Sequence, residues 1–213
     1  MSNTLTPGIN PTSLPPKTLR IRIARYISTI LSPITVSIPT ALLVALYRAQ
    51  NQLQAIGYTL LTLLFVTVGP MLYILIGVKL GKFTDMDVSQ RSQRFGPFIV
   101  SLLSILAVFV LLAFLQGPHT LRAALLLTFF LGLLMMLVTL WGHWKISIHA
   151  SSLAGAVTLL TALYGQIVLP AYTLVVLVCW SRVVLRRHTL GQVIAGSLVT
   201  ILLSALTLAL YGI

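Results

Sequence analysis

The sequence predicts an all-α membrane protein of seven transmembrane helices, and three observations predict it. Of 213 residues, 58% are hydrophobic and only 8% charged, where soluble domains carry about 25% charged residues. The apolar residues gather in long runs near the ~20 residues that a bilayer span needs. The 14 Lys and Arg, against two acidic residues, sit mostly in the short segments between those runs. In a soluble chain a net charge of +12 would suggest nucleic acid. In loops between spans it sets orientation instead.

Residues 1–26 form a polar tail rich in Pro and Thr that leads into a basic segment. It holds no apolar core before Arg25, unlike a cleavable signal. The sequence therefore predicts a mobile or partner-bound tail followed by one transmembrane domain over 27–213. The seven spans are expected at 27–48, 55–79, 97–116, 121–141, 147–168, 170–185 and 190–212. Pro33 and Pro39 fall in the first run and Gly69-Pro70 in the second, where a missing backbone donor predicts kinks. "RAQNQLQ" and "QGPHT" read as turns. Pro170 ends the fifth span, and the short apolar join there is the least marked boundary. The single Cys179 lies within an apolar run and reads as a small buried hydrophobe.

With seven spans, one face receives the N-terminal segment and the loops near 80–96, 142–146 and 186–189. It carries twelve Lys and Arg, and the other face only Arg48 and Arg122. The positive-inside rule then places the N-terminus and these loops in the cytoplasm and the C-terminus outside. Arg186 and Arg187 read as anchors of that topology. Trp141, Trp144 and Lys145 read as an interfacial belt with a snorkelling lysine.

The same loops hold the candidate chemistry. His188 and Gln192 are four residues apart at a helix start, so they share a face. The Gln192 oxygen could accept the imidazole Nδ1–H, leaving Nε2 free to attack. Arg94 and Arg182 could clamp phosphate oxygens as bidentate donors. Ser147 could cap the fifth span and aim its hydroxyl and nearby backbone N–H groups at an anion. His149 could protonate a leaving oxygen.

The stretch "SRVVLRRHTLGQ" holds Ser181-Arg182, five residues, His188, three residues, then Gln192. "ISIH" supplies Ser147 and His149. In order and spacing these resemble the second and third motifs, P-S-G-H and S-R-x5-H-x3-D, of the type 2 phosphatidic acid phosphatases, whose helical fold is shared with vanadium haloperoxidases. The likeness spans about 79–212. It implies a lipid-phosphatase-like bundle with His188 as phosphoryl-accepting nucleophile and His149 as general acid. It implies phosphate-binding roles for Arg94, Ser147 and Arg182, and no metal cofactor. The sequence departs from the motifs. Gln192 stands where the family has Asp, Asp87 where its first motif has Lys, and Ile146 and Ile148 where its second has Pro and Gly. Arg91 or Lys82 could supply the cation that Asp87 does not.

Two functions follow as expectations. One is hydrolysis of a phosphate monoester or diphosphate on a lipid or prenyl chain. The other is a catalytically silent accessory subunit of a larger membrane complex, such as a photosynthetic or respiratory core, packing lipid, quinone or pigment. With Asp85 and Asp87 the only acids, a carboxylate-rich metal site is excluded, and a proton or ion pump finds no acidic residue in the spans.

Overall fold

The computed structural model describes residues 18–86, 88, 90–142 and 144–213, with Arg91 by its backbone alone. Residues 1–17 of the expected polar tail, and Asp87, lie outside these residues. The described residues form nine α-helices and no strand. They are α1 (Leu19–Ile30), α2 (Pro33–Leu46), α3 (Gln52–Leu63), α4 (Gly69–Lys79), α5 (Phe95–Phe114), α6 (His119–Leu140), α7 (Ile148–Tyr164), α8 (Tyr172–Val184) and α9 (Leu190–Leu210).

The first run differs from its expectation. Helix starts at Leu19, inside the stretch assigned to the basic tail, and it breaks in two instead of kinking. A residue preceding proline is pushed out of the helical region. Ser32 is accordingly extended (φ −71°, ψ 155°), ending α1 and capping α2, whose Thr35 N–H it accepts at 3.3 Å. Pro39 is tolerated inside α2. At Gly69-Pro70 the chain answers the lost donor with a π-turn over Leu64–Val68, which joins α3 to α4.

Six segments are long and apolar enough to cross a membrane: Leu19–Leu46, Gln52–Lys79, Phe95–Phe114, His119–Leu140, Ile148–Val184 and Leu190–Leu210. They fit an integral membrane protein. The count differs from the expected seven because residues 148–184 stay helical throughout. The join expected near 168 is a 3-10 helix, Gly165–Ala171, rather than a coil. Gly165 turns the chain there with φ +79°, a value glycine adopts without a Cβ clash. The segment folds on itself. The Thr158 and Tyr172 hydroxyls meet at 2.9 Å, and Leu153, Ala154 and Val157 of α7 pack on Val175 and Val178 of α8.

Helix α7 is the centre of the bundle, with α2, α8 and α9 around it. Its small residues permit this: Ala150 and Ala154 are wholly buried, and Gly155 faces Thr200 of α9. A second core joins Val44 and Ala45 of α2 to Val108 and Leu112 of α5 and Leu121 of α6. Large apolar side chains remain outside, among them Leu60, Leu103 and Leu202. On a membrane protein such side chains meet lipid tails.

Candidate functional site

The turn after α8 is built around one carbonyl. The Arg187 N–H donates to Arg182 O at 3.0 Å and the Arg186 N–H to Val183 O at 2.9 Å. This is a Schellman termination. Its left-handed position, usually glycine, is Arg186 at φ +54°. The His188 N–H also approaches Arg182 O, at 3.4 Å. Arg182 and His188 are thereby tied to one tight turn.

Thr189 then starts α9 with a capping box. Its hydroxyl accepts the Gln192 N–H at 3.3 Å, and Gln192 Oε1 accepts the Thr189 N–H at 3.2 Å. The same Oε1 lies 3.1 Å from His188 Nδ1. A backbone N–H can only donate, so the Gln192 atom facing Thr189 is the oxygen, which can only accept. A hydrogen bond to that oxygen therefore needs the proton on Nδ1. In the neutral ring, Nε2 then carries the lone pair.

Ser147 is wholly buried and extended. It caps α7, its hydroxyl accepting the Ala150 N–H at 3.4 Å. His149 follows in the first turn of α7 and is half-buried. The segment before α7 lies along the start of α9. A Cβ on Gly191 would sit 3.8 Å from Trp144 Cζ2. One on Gly196 would sit 3.0 Å from Ile146 Cγ2 and 2.9 Å from Ser151 Oγ, and that hydroxyl donates to Gly196 O at 3.1 Å.

The first charged loop folds back on α5. The Arg94 side chain is buried and its Nε donates to Val88 O at 2.9 Å. Val88 is itself buried, at φ +45°. That is a strained backbone for a β-branched residue. Gln93 Oε1 accepts from the backbone N and the hydroxyl of Thr84, at 3.0 and 3.1 Å.

The three loops meet electrostatically. Burial, then the Arg182 charge, pushes the His188 pKa down from 6.5 to about 4. Gln192 opposes the shift, and Arg94 and Lys145 add to it. Lys145 is lowered by burial first and by Arg94 next, with Asp85 opposing and Arg187 adding. His188, Arg182, Arg94 and Lys145 thus share one pocket of field, although they come from three loops.

Of the residues singled out in the sequence, His188 and Gln192 are in contact. Arg94 and Arg182 are buried within electrostatic range of the ring. Ser147 and His149 start the neighbouring helix. The backbone of Arg91 lies in the 3-10 turn Arg91–Gln93. Two residues outside the motifs belong here. Lys145 reads in the sequence as an interfacial lysine, and its place two residues before Ser147 is the available signal. Ser28 of α1 accepts from Arg182 Nη1 at 2.8 Å, and nothing in the motifs points to it.

Residues 138–212 match the family model of the PAP2 superfamily. This part of the chain is a PAP2-type region. It contains Lys145, Ser147, His149, Arg182, His188 and Gln192, whereas Arg94 and Ser28 precede it. Neither a search of curated proteins nor one of solved structures returns a match. A PAP2-type region implies a phosphatase-like function with a lipid phosphate substrate in general.

Proposed function

We propose that the chain hydrolyses a lipid or prenyl phosphate or diphosphate, with His188 as nucleophile. The observation that supports this is the shared acceptor Gln192 Oε1, which fixes the proton on Nδ1. The Nε2 lone pair attacks phosphorus, a phosphorus–nitrogen bond forms, and the bond to the leaving oxygen breaks. His149 gives that oxygen its proton. Water then attacks the phosphohistidine, loses a proton to His149 and releases phosphate with Nε2 restored. Arg94, Arg182 and Ser147 hold the phosphate oxygens. Lys145 supplies the cation that Asp87 does not.

In this reading residues 148–184 cross the bilayer twice, giving seven crossings. The packing of α7 on α8 supports it. The twelve-to-two basic bias supports a cytoplasmic N-terminus and site face and an outer C-terminus. Both Gln90, in the first charged loop, and Gln116, after α5, are exposed. Labelling of single cysteines at Gln90 and Gln116 in a Cys179→Ser background tests the topology, with opposite sides expected.

The deciding experiment measures phosphate release by the purified protein from phosphatidate, prenyl phosphate and prenyl diphosphate. Release that His188→Ala abolishes supports the reading. No release from any of the three, even with Gln192→Asp, points to the second reading, a silent accessory subunit. That reading is favoured by Gln192, which the capping box accounts for without any catalytic task.

A further inference from the structure

We infer that Ser28 is a positioning residue for Arg182, so that α1, a helix outside the PAP2-type region, completes the phosphate site. The inference rests on the phosphohydrolase reading for its functional consequence and on geometry for its substance. The Arg182 Nη1 to Ser28 Oγ bond is 2.8 Å long and joins residues 7% and 6% exposed. A hydrogen bond from a charged donor in so dry a place is strong and directional. It fixes the rotation of the planar guanidinium, which must present its donors to an anion in one plane.

The packing of α1 has the same logic. Ala24 and Ser28, four residues apart, are its buried positions. Small side chains there let the helix approach α8 closely. The two helices run antiparallel. Just past the end of α1, Leu31 reaches the cluster that holds Val175 and Val178, which precede Arg182 in α8. In the other direction Leu19 stands nine residues before Ser28, about 13 Å of helix. Helix α1 therefore rises past Arg182 on the side of the His188 turn. Its exposed Arg20, Arg22 and Arg25 lie in that stretch, where cations attract anionic head groups.

Orthovanadate, a phosphate analogue, is the probe, titrated calorimetrically into the full-length protein in detergent. Ser28→Ala weakens binding about tenfold, the scale of one charge-assisted hydrogen bond, and Ser28→Thr restores most of it. Ser37→Ala, on α2 where the hydroxyl donates to Ile34 O, leaves binding unchanged. The His188 titration, followed by NMR, is the second readout. Ser28→Ala moves its midpoint up from about 4, because a loosened Arg182 holds the ring down less, and Ser28→Thr brings it back. Wild-type binding and titration in Ser28→Ala overturn the inference. So does a Ser28→Thr variant as defective as Ser28→Ala in both readouts, since the loss then comes from helix packing. If the wild type binds no orthovanadate while the His188 midpoint still follows Ser28, the phosphohydrolase reading fails and the positioning role stands.

Discussion

His188 Nδ1 and the Thr189 backbone N–H share one acceptor, Gln192 Oε1, at 3.1 and 3.2 Å. One side chain therefore both caps α9 and orients the imidazole. Gln192→Ala removes both functions. It should lower thermal stability by about 1 kcal/mol, the usual worth of a helix cap, and should cut phosphate release at least ~10-fold by freeing the ring. Gln192→Asp keeps an acceptor and adds a charge, which stabilises a cationic ring. In a Ser-His-Asp site, loss of the corresponding carboxylate costs about 10⁴ in rate. Gln192→Asp should thus raise the turnover number and the His188 pKa together, read by a pH–rate profile and by NMR. An unchanged His188 midpoint would sink the claim that position 192 sets the ring's charge.

The pH dependence has a definite sign. His188 is held at about 4 by burial and by Arg182, so Nε2 stays unprotonated through the neutral range. The acid limb of kcat/KM should have its midpoint near 4 rather than near 6.5. Stability follows the same group. The folded protein favours the neutral ring, so its contribution is intact above about 6.5 and is lost as the pH falls from there towards 4. Acid unfolding of His188→Gln, which cannot titrate, should begin at lower pH than that of the wild type.

Much of this is legible in the sequence because it is local. The i, i+4 pair His188 and Gln192 and the cap Ser147 need only helix periodicity. The long-range parts are not. Ser28 meets Arg182 across 154 residues, and no spacing encodes which serine faces which arginine. Lys145 looks like any interfacial lysine until its loop is laid along α9. The start of α1 escapes the sequence reading because Arg20, Arg22 and Arg25 read as tail. Yet Leu19, Ile23, Tyr26 and Ile30 recur among them at helical spacing. The boundary between the fifth and sixth spans is poorly marked because Gly165 turns the chain while the next residues remain helical.

Gly196 of α9 lies against the cap of α7. A Cβ there would stand 2.9 Å from Ser151 Oγ, 3.0 Å from Ile146 Cγ2 and 3.3 Å from Ser147 O. The serine hydroxyl can rotate away, but the Ser147 carbonyl belongs to the backbone. Gly196→Ala should cost about 1–3 kcal/mol by overpacking and displace Ser147, lowering both the unfolding temperature and orthovanadate affinity. Gly57→Ala, where a Cβ meets nothing within 4 Å, is the control and should do neither.

Arg186 holds the left-handed position of the Schellman turn, where a Cβ costs about 1–2 kcal/mol. Its side chain reads as a topology anchor, with no task at the phosphate. Arg186→Gly should therefore raise the unfolding temperature and leave phosphate release within about twofold of wild type. A loss of release comparable with that of Arg182→Ala would place the Arg186 charge in the site instead.

Lys145 stands two residues before Ser147, the cap of α7. Its segment is pinned to α9 through Trp144 at Gly191 and Ile146 at Gly196, and its charge is felt by His188. If it replaces the cation missing at position 87, Lys145→Met should raise KM or weaken orthovanadate binding about tenfold, the scale of one charged contact. Lys145→Arg should retain most of the affinity. Lys82→Met should have little effect, because the charges that shift His188 and Lys145 do not include that lysine. The double variant Asp87→Lys with Lys145→Met decides the matter. Recovery of binding means that the two positions serve the same phosphate. A loss left unrepaired means that Lys145 acts on the fold of its loop rather than on the anion.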